Sequence, residues 1–125
     1  MTGSNDAGSP TASTERTGMS NLTYAGKTYK FSIDNGVVFH NIYSPDGTTL
    51  HYKTVAGPNT GASEDVTLHA AEVAPGVFLL GWVEKSGMTV THAMNLNTLT
   101  VHLFWTYDTP DSRIGELHVG TLKEM

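Results

Sequence analysis

From Thr28 onward the chain alternates apolar and polar residues, and a turn sequence soon stops each alternation. A period of two places successive side chains on opposite faces of a strand. The turns are Asp34-Asn35-Gly36, Pro45-Asp46-Gly47, Gly57-Pro58-Asn59, Pro75-Gly76, Ser86-Gly87, Asn95-Leu96-Asn97 and Pro110-Asp111. Between them the pattern predicts eight strands, over residues 28–33, 37–43, 48–54, 64–73, 77–84, 88–94, 98–107 and 114–122. Asn-Gly and Asp-Gly enter positive φ at little cost and suit tight hairpins. No segment holds a helical apolar period, so a parallel sheet with crossover helices is not expected. A meander leaves two open edges, which closure removes. The predicted fold is therefore all-β: a single antiparallel up-and-down barrel of about eight strands.

Parity within each strand names the inward residues. Tyr29, Phe31 and Ile33 share a face, as do Val37 and Phe39, Leu50 and Tyr52, and Phe78, Leu80, Trp82 and Glu84. Val90, His92 and Met94 follow, then Leu99, Val101, Leu103 and Trp105. An eight-stranded barrel has an interior that side chains can just fill or that holds one small ligand. An aromatic lumen with a few polar groups is the usual lining of a small-molecule site. The expected ligand contacts are Tyr29, Phe31, Phe39, Tyr52, Phe78, Leu80, Trp82, Val90, Leu103 and Trp105.

Composition narrows the choice of partner. The 125 residues make one domain, and residues 1–22, rich in Ser, Thr, Gly, Asn and Asp, lack the apolar side chains of a core. They are expected to be a disordered leader, native or added, ahead of a barrel domain over residues 23–125. A net charge of −5 with seven scattered Lys and Arg gives no surface for nucleic acid or for an anionic membrane. No apolar run reaches the length of a transmembrane helix, and the N-terminus has no secretory pattern. The expected location is the cytoplasm. With no cysteine, disulfides, thiol catalysis and thiolate zinc sites are excluded.

Glu84 ends the stripe of Phe78, Leu80 and Trp82. Two readings stay open for it: a solvated charge at the mouth of a strand, or a partly desolvated acid or base beside Trp82. His92 is either a hydrogen-bonded core residue or a partner for Glu84. Its hairpin should place it opposite Leu80 or its neighbours, near the Glu84 end of the lumen. The six histidines, His40, His51, His69, His92, His102 and His118, fall one per strand with no chelating spacing. No metal and no cofactor are expected. Gly81, alone in mid-strand, marks either a bend or a close ligand approach.

Asp34-Asn35-Gly36 before an aromatic strand, Thr49-Leu50-His51-Tyr52, and Gly76-Val77-Phe78 leading through Trp82-Val83-Glu84 to Gly87-Met88-Thr89-Val90 carry a family likeness. Across Tyr29 to Trp105 the chain resembles the MoaF-like barrels, related to molybdenum-cofactor biosynthesis protein F, and more distantly the phenolic acid decarboxylases. The resemblance implies a calycin-like, lipocalin-type barrel. The decarboxylases use two tyrosines two residues apart before the Asn-Gly turn, an arginine on a later strand and a glutamate after the Trp. Here Phe31 and Ile33 hold the tyrosine positions and Thr54 to Ala62 has no arginine, so only Glu84 remains.

The expected function is binding of a small apolar or aromatic molecule by a monomer or homodimer. The alternatives are a cofactor-free lyase or isomerase with Glu84 as acid or base, assisted by His92 or Tyr52, and a filled barrel serving as an interaction protein. Deleting the residues before Leu22 is expected to leave the melting temperature unchanged. A drop of several degrees would show that the segment docks on the barrel.

Overall fold

Strands end where the sequence supplies a residue that tolerates a left-handed backbone. At the first hairpin Gly36 has a φ of 89°; its N–H donates to Ile33 O at 3.0 Å, and Asn35 Oδ1 accepts from the Val37 N–H at 3.1 Å. The computed structural model describes residues 22–125. Its strands are β1 (Thr28–Ile33), β2 (Val38–Tyr43), β3 (Thr49–Ala56), β4 (Ser63–Thr67), β5 (His69–Ala74), β6 (Val77–Val83), β7 (Thr89–Asn95), β8 (Thr100–Asp108) and β9 (Arg113–Glu124). They form one sheet in the order β4-β3-β2-β1-β9-β8-β7-β6-β5, with every neighbouring pair antiparallel. The first strand therefore pairs with the last, and the sheet curls until it nearly closes into a barrel. Among the described residues no helix is long and apolar enough to cross a membrane.

Among the described residues nine strands replace the expected eight because residues 64–73 make two. The chain leaves β3 at Leu68, whose N–H donates to Thr48 O at 2.9 Å, and β5 then pairs with β6. Periodicity reports which face a residue takes, not which neighbour its backbone bonds, so this change of partner left no mark in the pattern. The open seam lies here, between β4 and β5. Across it the Lys85 N–H, just past β6, donates to Glu64 Oε2 on β4 at 2.8 Å.

The inward parity is as expected for Tyr29, Phe31, Ile33, Leu50, Phe78, Leu80, Trp82, Val90, Met94, Val101, Leu103 and Trp105, all buried. Leu99 is a correction: it sits in the turn before β8 with a φ of 56°, and its side chain is exposed. Gly81 shares the outward parity of exposed Leu79 and Val83, and a Cβ there would make only an ordinary contact with Val90 O at 3.5 Å. No close ligand approach accounts for it.

One end of the barrel is packed shut. Tyr24, ahead of β1, turns inward and its ring meets Tyr43 at 4.9 Å and Phe78 at 5.2 Å, both edge-on. Its hydroxyl donates to Gly47 O at 2.9 Å, and burial pushes its pKa up to about 12. Leu22, grouped by composition with the leader, is buried beside this plug; an apolar side chain at the barrel mouth gains more from the core than from water. The rest of that segment, residues 1–21, lies outside the described residues.

The β1–β9 pairing depends on a missing side chain. A Cβ on Gly120 would lie 2.6 Å from the Ser32 carbonyl oxygen and 3.0 Å from Ile33 Cδ1. Since backbone cannot move aside as a flexible side chain does, Gly120→Ala should cost about 1–3 kcal/mol. Denaturant unfolding measures it, and an unchanged midpoint would refute the close approach.

Candidate functional site

The end opposite the Tyr24 plug is hollow. A cavity of about 660 Å³ opens there, rimmed by the turns after β1, β3 and β6 and by the ends of β8 and β9. That volume suits one small organic molecule, so the barrel is filled only in its other half. Of the expected ligand contacts, Phe39, Tyr52, Trp82, Val90 and Trp105 line the cavity, as do Glu84 and His92. Tyr29, Phe31, Phe78, Leu80 and Leu103 also face inward, but they fill the packed part of the barrel and do not line the cavity. Parity fixes the face and not the height along the barrel, so the pattern could not separate the two groups.

Glu84 follows β6 directly, in a turn closed by its N–H donating to Met88 O at 2.8 Å. The turn holds its side chain at the cavity wall, half-buried. Oε2 accepts from the Trp82 indole N–H at 3.1 Å, and the Tyr52 hydroxyl also reaches the carboxylate. Tyr52 in turn donates to Glu64 Oε1 at 3.2 Å. One phenolic proton thus stands between two carboxylates, and it can satisfy only one at a time. Burial holds the Glu84 pKa above the usual carboxylate value, against the lowering by the Trp82 and Tyr52 hydrogen bonds, and Glu64 adds to the rise.

His92, on β7, lies opposite Leu80 as the hairpin register requires. It forms no bond to Glu84, because the Trp82 ring intervenes: the imidazole meets that indole edge-on at 4.8 Å and tilts against Phe31 at 5.5 Å. Only 3% exposed, it has no hydrogen-bond partner for Nδ1 among the described residues. Burial lowers its pKa to about 3, so it is neutral at pH 7. Asn41 on β2 is 2% exposed. Its Oδ1 has no hydrogen-bond partner among the described residues. Both residues border the cavity.

A second polar group stands on the β8–β9 wall, which the sequence pattern did not single out. His118 Nδ1 lies 2.7 Å from Asp34 Oδ1 and Nε2 lies 2.8 Å from Glu116 Oε1, with the ring against Trp105 at 4.4 Å. The Tyr107 hydroxyl donates to Glu116 Oε2. Glu116, then Asp34, raise the His118 pKa, and Tyr107 and His118 lower that of Glu116. The signal was available: Glu116 and His118 share parity with Gly120 and Leu122 on β9, and Tyr107 continues the parity of Trp105. Among the described residues no cluster of His, Asp and Glu could hold a metal ion.

The two histidines give opposite pH dependence. His92 has a depressed folded pKa, so the unfolded chain binds the extra proton and stability falls as pH drops from about 6.5 toward 3, by up to ~1.4 kcal/mol per pH unit. His118 has a raised pKa, so its contribution is complete below about 6.5 and is lost as pH rises through its folded value. Urea unfolding of wild type and His92→Asn between pH 7 and 5 should show the variant lacking the acid-side loss. Parallel profiles would mean that His92 takes up a proton in the folded protein.

Comparison with known proteins agrees with this architecture. A Vibrio cholerae protein named "Probable phenolic acid decarboxylase" is 28% identical over 80 residues, which are 63% of this chain and 45% of that one. The chain thus spans less than half the length of this curated relative. A crystal structure from Burkholderia vietnamiensis, provisionally described as a beta-lactamase, superposes with a TM-score of 0.73 at 27% identity, covering 82% of this chain and 95% of the other. The profile of the MoaF-like family matches residues 25–123, nearly all of the barrel, and the chain belongs to that family.

Proposed function

We propose that the protein binds a small, largely apolar or aromatic molecule in the open half of its barrel. One observation carries the reading: the aromatic cavity of about 660 Å³ is bordered by two buried polar atoms, Asn41 Oδ1 and His92 Nδ1, that find no partner among the described residues. An unbonded buried polar atom costs about 1–3 kcal/mol. A ligand that bonds either atom while covering the rings recovers that cost and gains the burial of apolar surface.

A second reading, a cofactor-free lyase or isomerase, is favoured by Glu84. It is a half-buried carboxylate with a raised pKa at the cavity wall, suited to moving a proton, and a relative carries a decarboxylase name. Against decarboxylation of a phenolic acid stands the lining itself: among the described residues no Lys or Arg borders the cavity, so none of them offers a cation to a substrate carboxylate.

Titration with the neutral fluorophore 1-N-phenylnaphthylamine tests the binding reading, because Trp82 and Trp105 both border the cavity and should transfer energy to a bound probe. Saturable transfer is expected, and none at any concentration would refute the cavity as a binding site. Glu84→Gln separates the two readings. It should change affinity for this probe by no more than about 1–2 kcal/mol, whereas turnover of any converted substrate should fall by roughly 10² to 10⁴ if Glu84 moves the proton. Undiminished turnover would remove Glu84 from the chemistry.

A further inference from the structure

We infer that the cavity selects organic cations: its ligand is an aromatic or apolar amine whose ammonium group sits against Glu84, between the rings of Trp82 and Tyr52. This rests on the binding reading above and names the class of ligand.

Among the described residues the carboxylates are the charged groups that line the cavity. Glu84 and Glu116 border it, and Glu64 is joined to the Glu84 side through the Tyr52 hydroxyl. Among the described residues no Lys or Arg lines it. Arg113, near the rim, is occupied by Asp108 at 3.1 Å, Thr106 Oγ1 at 2.8 Å and Gly87 O at 3.0 Å. Any positive charge on His118 is offset by the two carboxylates that hold it, Asp34 and Glu116. On the seam side Glu64 and Glu84 make no ion pair among the described residues, Lys85 meeting Glu64 only through its backbone N–H, and the two carboxylates have a single phenolic proton to share. A carboxylate ligand would add a third negative charge to a half-buried site, whereas an ammonium would supply the missing positive one.

The walls suit the same ligand. Tyr52 and Trp82 stack with centroids 6.5 Å apart, and Phe39 stands edge-on to Tyr52 at 6.4 Å and to Trp105 at 6.2 Å. Aromatic faces beside a carboxylate form the setting in which ammonium groups are held by cation–π attraction. Independently of the acidic side chains, Asn41 borders the cavity, and its buried Oδ1 is an acceptor with no partner among the described residues. It too asks for a donor on the ligand.

The test uses the full chain and three probes of one shape: 2-phenylethylammonium, 2-phenylethanol and 3-phenylpropanoate, titrated by calorimetry at pH 7 and low salt. The ammonium is expected to bind at least about tenfold tighter than the alcohol, with the propanoate weakest. In Glu84→Gln, checked for an unchanged melting profile, the ammonium should bind no better than the alcohol. Binding of the propanoate equal to or tighter than the ammonium overturns the proposal. So does an ammonium no tighter than the alcohol, although binding of the alcohol would leave the binding reading standing. If none of the three binds and phenylnaphthylamine also fails, both readings fall together. The wild-type series decides the matter even if the variant does not fold.

Discussion

The pairing of the first strand with the last is the constraint on which the rest of the barrel depends. Gly120 lies against Ile33 and Leu122 against Phe31 in that ladder, and the absence of a side chain at Gly120 lets the two backbones meet. The same junction is fastened by side chains. Asp34 donates its N–H to Val119 O at 2.9 Å, accepts from the Val119 N–H at 3.2 Å, and bonds His118. With this pair fixed, every other strand follows by a hairpin, and the mismatch left over appears as a seam between β4 and β5. Closure is therefore secured between β1 and β9, the first and last described strands, and relaxed between β4 and β5.

Uneven filling leaves this scaffold packed at one end and open at the other. Large rings crowd one end, where Tyr24, Tyr29, Tyr43 and Phe78 lock edge to face. At the other end the rings of Phe39, Tyr52, Trp82 and Trp105 stand around open space. The polar groups divide in the same way. In the packed end the hydroxyl of Tyr24 is satisfied by Gly47 O and that of Tyr43 contacts Met94 Sδ at 3.9 Å, whereas the two unpartnered buried atoms border the cavity. A domain of this size is stable by roughly 5–15 kcal/mol, so two unmet bonds at about 1–3 kcal/mol each are a sizeable fraction of that margin. Both residues that carry them border the cavity.

The seam also shapes the chemistry of the cavity. Glu64 on β4 bridges to the Lys85 backbone across the gap, which brings its carboxylate near Glu84 and sets Tyr52 between them. A fully closed ladder would have met the Lys85 N–H with a carbonyl and left no call for an acid there. On the opposite wall, Glu116 is tied to Tyr107 and His118, and its charge is partly neutralised. The two acidic walls are thus unequal, and the one at the seam makes no ion pair among the described residues. The residues that resemblance would assign to a decarboxylase tyrosine pair, Phe31 and Ile33, are buried side chains outside the cavity lining.

By itself the sequence determined the strands, the turns and the inward faces, because a period of two and residues tolerant of positive φ are local properties that need no knowledge of the neighbour. It also marked Trp82, Glu84 and His92 as residues of one inner surface. Tertiary structure alone decided which strands pair across distance, and so the split at Leu68, the β1–β9 closure and the meeting of Asp34 with His118. It decided too that Trp82 separates His92 from Glu84, and that Glu64, Tyr52 and Glu84 converge at the seam. Height along the barrel was likewise invisible to parity, so only the folded chain could show that Phe31 and Leu80 are core while Phe39 and Trp82 face a cavity. The reason is the same in each case: alternation encodes a direction for every side chain, but position in space comes from the register of strands far apart in the chain.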